Sequence, residues 1–144
     1  MKDKALGLLG LMRRAGAIAI GMDNTADAVR AGKARLLLLS RDAADHARRK
    51  AENLSNGRSV LTVELPYSRE ELADSLGVSG CAAAAVTDLG FANALMKELA
   101  ARDPARYGET AQETERRCEK ADRRRKETAA RKGTKKSVKR RTEE

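Results

Sequence analysis

The chain has 144 residues, 41% hydrophobic and 35% charged, enough apolar material for one modest core with part of the chain left unpacked. Its formal net charge of +9 favours a polyanionic partner, either nucleic acid or an acidic membrane surface. Cys81 and Cys118 form no CxxC pair and His46 is the only histidine, so the composition excludes a zinc site and a disulfide framework and makes a reducing cytoplasm the expected setting.

Lys2 and Lys4 precede an apolar run that Arg13 and Arg14 break. No cleavage-type ending follows, so the run reads as an amphipathic helix over 3–14 with Leu6, Leu9 and Met12 on its stripe. A short strand is expected over 17–20. The polar stretch that follows opens a helix over 24–31, with Asn24 as N-cap, Asp27 three residues on, and Gly32 as the stop. Leu36 to Leu39 is a continuous apolar run, which predicts a strand buried on both faces of a parallel sheet. Asp42 reads as the N-cap of a helix to residue 54, Asn56-Gly57 as a turn, and 60–65 as a third strand.

Ser68 and Glu71 are spaced for a capping box at the start of a short helix ending near residue 75. A glycine-bearing loop covers 76–80. The four alanines within 81–86 favour helix by propensity. Thr87-Asp88 nevertheless resembles a fresh N-cap, and Gly90 would weaken one continuous helix. The reading is therefore a buried strand over 81–86 and a helix over 88–101.

Strands alternating with helices predict a layered α/β domain over 1–101, with helices on both faces of the sheet. Asp103-Pro104 marks its boundary. In the tail, 102–144, the pairs Glu113/Arg117, Glu119/Arg123 and Asp122/Lys126 support a helix at i,i+4 spacing. Apolar anchors that would tie that helix to a core are nearly absent from the pattern. From Gly133 onward the tail reads as disordered and basic. The residues to Leu99 carry 14 Lys+Arg against 12 Asp+Glu, and those from Ala100 carry 16 against 9. The tail thus holds most of the excess charge. No apolar run has the length of a membrane span.

In their order and spacing, LLGLMRRAG, GMDNTADAVRAGK, ARLLLLSRDAAD and ELADSLG followed by AAAAVTDLGFA resemble the kink-turn RNA-binding ribosomal protein family of the L-seven-Ae and L-thirty-e type, in particular its bacterial branch. The resemblance covers 4–99. It implies a three-layer α/β/α sandwich around a mixed four-stranded sheet, with the basic, partly helical or disordered tail outside it. It also implies a non-enzymatic, cytoplasmic RNA-binding protein that needs no cofactor and no membrane. The implied partner is structured RNA, rRNA or another kink-turn RNA, with ribosomal or transcription–translation proteins as further partners.

The surface implied by the resemblance has two parts. Gly21, Met22, Asp23, Asn24 and Asp27 form a helix start whose polar side chains would read sheared G·A pairs. Val78, Ser79 and Gly80 form a loop that would pack against an extruded base, with Arg41 at a strand end near the same face. Asp23 and Asn24 stand where relatives have an asparagine and a glutamate or glutamine. Asp27 departs from the pattern, because relatives have a phosphate-contacting lysine there. A carboxylate at that position repels phosphate unless a cation intervenes.

The residues alone leave alternatives open. A helix N-terminus offers unpaired N–H groups and positive dipole to phosphates or base acceptors, but Asn24 and Asp27 could equally satisfy it from within. Val78-Ser79-Gly80 also reads as a plain turn. Arg13, Arg14, Lys33, Arg48, Arg49 and Lys50 either contact phosphates or form a solvated face. His46 fits a helix surface, and Cys81 a small core hydrophobe. Tyr67, Phe91 and Tyr107 are the only aromatics, too few for a base-stacking platform, so folded RNA is expected over unstructured strands. No GxxxxGK[ST], GxGxxG, Cys–His pair or clustered metal ligands support catalysis. The alternative function is a protein-interaction module of the same fold with weak RNA binding, favoured by Asp27 and the near-neutral body.

Overall fold

The computed structural model describes residues 3–143, with side-chain surroundings through residue 130. In chain order the elements are α1 (Lys4–Arg14), β1 (Ile18–Ile20), α2 (Met22–Arg30), β2 (Leu36–Leu39), α3 (Asp45–Ser55), β3 (Leu61–Glu64), α4 (Arg69–Leu76), β4 (Ala83–Val86), α5 (Leu89–Arg102) and α6 (Pro104–Glu143). The strands form one mixed sheet in the order β1-β4-β2-β3. β2 and β3 run parallel, and β4 runs antiparallel to both β1 and β2.

Side chains alternate across a strand, and the two inner strands show what that does here. Leu36 and Leu38 of β2, with Ala84 and Val86 of β4, pack against α1, α4 and α5 in the larger core. Leu37 and Leu39, with Ala83 and Ala85, pack against α2 and α3 in the second core. Both strands are therefore buried on both faces, which explains their unbroken apolar sequences. The expected parallel sheet is parallel only along β2–β3. The alanines of β4 suit its place between two strands and two helical layers, and strand beats helix there because neighbouring strands satisfy its backbone.

The helices bury narrow stripes: Ala5, Leu9 and Met12 of α1; Ala47, Ala51 and Leu54 of α3; Ala92, Leu95, Met96 and Leu99 of α5. Each follows helical spacing on one face. Ser68 and Glu71 do form a capping box at the start of α4. Asp42 does not cap α3, whose N-cap is Ala44. Its carboxylate instead accepts the Arg69 amide at 2.9 Å and pairs with the Arg69 side chain at 3.7 Å, joining the end of β2 to the start of α4.

α6 corrects the expectation that no apolar residue ties the tail to the body. Tyr107, Ala111 and Thr114 are buried, and the first two belong to the larger core. The Tyr107 hydroxyl donates to Glu64 O at 2.8 Å, at the end of β3, and Arg117 donates to Ser59 O, just before β3. Ten helical residues rise about 15 Å, and the five-residue step from Ser59 to Glu64 spans about 17 Å. α6 therefore packs back along α5 and reaches the outer strand at both of its ends. It continues as helix to Glu143, where disorder from Gly133 was expected. Of the expected i,i+4 pairs, Glu113–Arg117 forms at 2.9 Å, while Asp122 pairs with Arg125 at 3.4 Å instead of Lys126. Among the described residues no helix is long and apolar enough to cross a membrane.

Where α1 begins, three elements are clamped together. Arg102 forms paired hydrogen bonds with the Asp3 carboxylate, both at 2.7 Å, and Tyr67 OH donates to the same carboxylate at 2.8 Å. The guanidinium holds the Asp3 carboxyl well below the usual carboxylate range. Burial and the Asp3 carboxylate push the Tyr67 hydroxyl up to about 12.

Candidate nucleic-acid interface

The candidate surface forms at the sheet end where β1, β2 and β3 finish and β4 starts. Backbone hydrogen bonds lace that end together. Gly21 N donates to Ala83 O at 2.9 Å, Ser40 N to Ala82 O at 3.0 Å, and Arg41 N to Tyr67 O at 2.8 Å. The start of α2, the end of the 77–82 loop and Arg41 thus lie at the same end of the sheet. Neither of the first two segments is wholly buried: Asp23, Asn24, Asp27, Ser79 and Gly80 are exposed, and Met22 and Val78 are half-buried.

Gly21 makes the entry to α2 possible. Its φ of 92° and ψ of 157° lie in a region essentially reserved for glycine. It is the N-cap, so the expected cap at Asn24 is displaced by three residues. The first intrahelical bond runs from Thr25 N to Gly21 O at 2.9 Å, which leaves the amides of Met22, Asp23 and Asn24 ahead of it. No side chain of the described residues caps them. Asn24 Nδ2 donates backward to Ile20 O at 2.8 Å, and its carboxamide oxygen accepts from no described residue.

These groups combine two chemistries. Uncapped amides with the helix dipole attract phosphates or base acceptors. The Asp23 carboxylate and the Asn24 carboxamide oxygen accept from base amino groups. Asp23 and Asp27 are one helical turn apart, so their carboxylates share a face and repel one another. Lys50 of α3 lies 3.9 Å from the fully exposed Asp23 carboxylate. The sequence shows Lys50 only as one of several scattered cations, because its nearness to Asp23 depends on how α2 packs against α3. No described cation pairs with Asp27.

The loop is built from the end of α4. Gly77, at φ 69°, closes that helix in the left-handed conformation. Val78 N then donates to Ala73 O at 3.0 Å, and the Val78 side chain rests on the larger core. Arg13 donates to Leu76 O and ties the loop's base to α1. Cys81 is buried and its thiol is pushed up by burial, as expected of a core residue. Arg41 is exposed, with Glu71 at 3.4 Å and Pro66 O at 3.4 Å. Arg48, a candidate phosphate contact by sequence, is occupied by Glu64, Ala43 O and Arg41 O.

Residues 3–96 match the model of the ribosomal protein L7Ae/L30e/S12e/Gadd45 family. The match ends inside α5, so α6 lies outside it. The RNA-binding protein YlxQ of Bacillus subtilis is 36% identical over 96 residues, covering 64% of this chain and 91% of that protein. Its counterpart in Enterococcus faecium is 30% identical over 76 residues, covering 53% and 73%. A solved structure of a Bacillus halodurans protein of unknown function superposes with a TM-score of 0.63 at 28% identity, covering 67% of this chain and 97% of the other. The Giardia lamblia 15.5kD RNA binding protein shares the fold, with a TM-score of 0.53 at 20% identity, covering 68% and 87%.

Proposed function

The chain belongs to the ribosomal protein L7Ae/L30e/S12e/Gadd45 family, and from that membership we propose that it is a non-enzymatic RNA-binding protein that recognises kink-turn-like, structured RNA. rRNA during ribosome assembly or translation is the partner this reading favours. Two relatives carry the name RNA-binding protein, which supports the RNA part of the reading.

The observation that carries the proposal is the uncapped start of α2 seated beside the 77–82 loop. Three amides and a carboxamide oxygen, without partners among the described residues, present donors and acceptors together. A glycine entry lets them approach a groove closely. Sheared G·A pairs offer amino groups and acceptors at such a surface, and the half-buried Val78 offers an apolar rest for a base turned out of its stack. Gly21, Met22, Asp23, Asn24, Asp27, Arg41, Val78, Ser79 and Gly80 are the proposed contacts.

An electrophoretic shift assay tests it with a kink-turn RNA and a control in which the G·A pairs are replaced by Watson–Crick pairs. The reading expects preference for the kinked form at physiological salt. Equal affinity for both would refute it. The exposed, unpaired Asp27 favours a second reading, a protein-interaction module of the same fold. That reading is supported if neither the natural chain nor Asp27→Lys shifts the kinked RNA.

A further inference from the structure

α6 changes character where it passes the start of β3. Over the body its inward stripe is Tyr107, Ala111 and Thr114. At the same helical spacing the stripe continues as Arg117, Ala121 and Arg124. There the helix overhangs the opposite end of the sheet from the α2 start, and a cleft of about 1310 Å³ lies between helix and body. The body wall carries Arg30 from the last turn of α2, Arg35 leading into β2, and Arg58 ahead of β3. The helix wall carries Arg116, Arg117, Lys120 and the run Arg123 to Arg125.

Two acids line this cleft, one capping a helix and the other holding two of the cleft's own arginines. The Asp88 carboxylate caps α5 by accepting Phe91 N at 3.0 Å. Glu113 holds Arg116 at 2.7 Å and Arg117 at 2.9 Å, and these guanidiniums lower its carboxyl from the usual value. The side chains of Arg30, Arg35, Lys120, Arg123 and Arg124 have no partner among the described residues. Like charges facing one another across a gap are self-repelling, so the folded arrangement is complementary to an anion.

The chemistry selects the anion. Eight of the nine cations are arginines, whose planar forks match phosphate oxygens in pairs. The cationic stretch from Arg116 to Arg125 rises about 14 Å, facing about eight backbone charges of a duplex. No aromatic side chain lines either wall, so the cleft lacks the aromatic anchors of protein interfaces. We propose that this cleft is a second binding site, one that grips the phosphate backbone of a nucleic-acid duplex without reading its sequence. It shares no residue with the α2 start. Four-residue strands separate the two ends by about 13 Å, so one molecule could hold two nucleic-acid segments at once.

Fluorescence anisotropy with the full chain tests this, using a 20-base-pair RNA duplex and the matching DNA duplex, both without G·A pairs. Two double variants, Arg30→Gln/Arg35→Gln and Arg123→Gln/Arg124→Gln, alter the body wall and the helix wall separately. Each pair should reduce the slope of log affinity against log salt by about 1.8, which, extrapolated from 1 M, is about two-hundredfold weaker binding at 50 mM salt. The duplex that shows the effect identifies the source of the phosphates. Loss from the helix pair with none from the body pair would overturn the proposal, because the charges of α6 would then act without a cleft. Equally effective displacement by polyglutamate of matched charge would overturn it in favour of an acidic polypeptide. Asn24→Ala should leave plain-duplex binding unchanged, and the body pair should keep any preference for kinked RNA, so each site can fail without the other.

Discussion

Replacing Tyr107 with alanine should release α6 from the body. Tyr107 is 4% exposed and sits in the larger core, with its hydroxyl bonded to Glu64 O. The Arg106 guanidinium lies 5.2 Å from its ring centre. Deleting a buried aromatic side chain costs about 3–5 kcal/mol, and the lost hydrogen bond adds about 1. The remaining anchors are small or exposed: Ala111, Thr114, the Arg117 bond to Ser59 O, and the Arg106–Glu64 and Lys97–Glu115 pairs at 2.5 and 3.3 Å, exposed pairs being worth about 0–1 kcal/mol each. Tyr107→Phe keeps the ring and should lose only about 1 kcal/mol. Chemical denaturation gives the two stabilities, and amide hydrogen exchange locates the loss. Residues 104–117 should exchange faster in Tyr107→Ala while β2 and β4 stay protected. A loss below about 1 kcal/mol with unchanged exchange in α6 would refute the docking described above.

Three further outcomes follow from the geometry. Asp3→Asn retains a side chain that can cap α1 but loses the charge paired with Arg102. Because the folded carboxyl is held below its ordinary value, the natural chain should lose stability more steeply than the variant as pH falls below about 4; parallel denaturation midpoints from pH 7 to 3 would contradict this. Gly21→Ala meets no atom within 4 Å of the added carbon, so only backbone strain acts, and unfolding free energy should fall by about 1–3 kcal/mol; an unchanged value would show that the turn relaxes. Asp27→Lys exchanges repulsion for attraction at a phosphate; at about 5 Å in water each term is about 0.8 kcal/mol, so kinked-RNA affinity should rise about tenfold, and a fall would mean the carboxylate itself accepts from a base.

Signals that lie within a few residues of one another were legible. Ser68 and Glu71 specify the start of α4, and Leu36 to Leu39 specify a strand covered on both faces. The mistaken caps have a common cause. Asn24 and Asp42 are good capping residues, but Gly21 supplies the turn into α2, and Asp42 bonds to Arg69, far along the chain. For α6, the pattern was present at Tyr107, Ala111 and Thr114, spaced i, i+4 and i+7. It was hard to see because alanine and threonine are weak hydrophobes amid so many charges. For the candidate surface, the order of motifs pointed to Gly21–Asp27 and to 78–80. Their meeting at one sheet end follows from β4 pairing with β1, a long-range contact. The cationic cleft was invisible for the same reason: Arg30, Arg35 and Arg58 face Arg123 and Arg124 only once α6 has folded back along α5.

The most direct test of the reader surface is a backbone amide chemical-shift titration of the labelled chain with a kink-turn RNA. The account predicts the largest shifts at Met22, Asp23 and Asn24 and across Val78 to Cys81, with weaker or separately saturating shifts along α6. Shifts confined to α6, with the start of α2 unmoved, would contradict it.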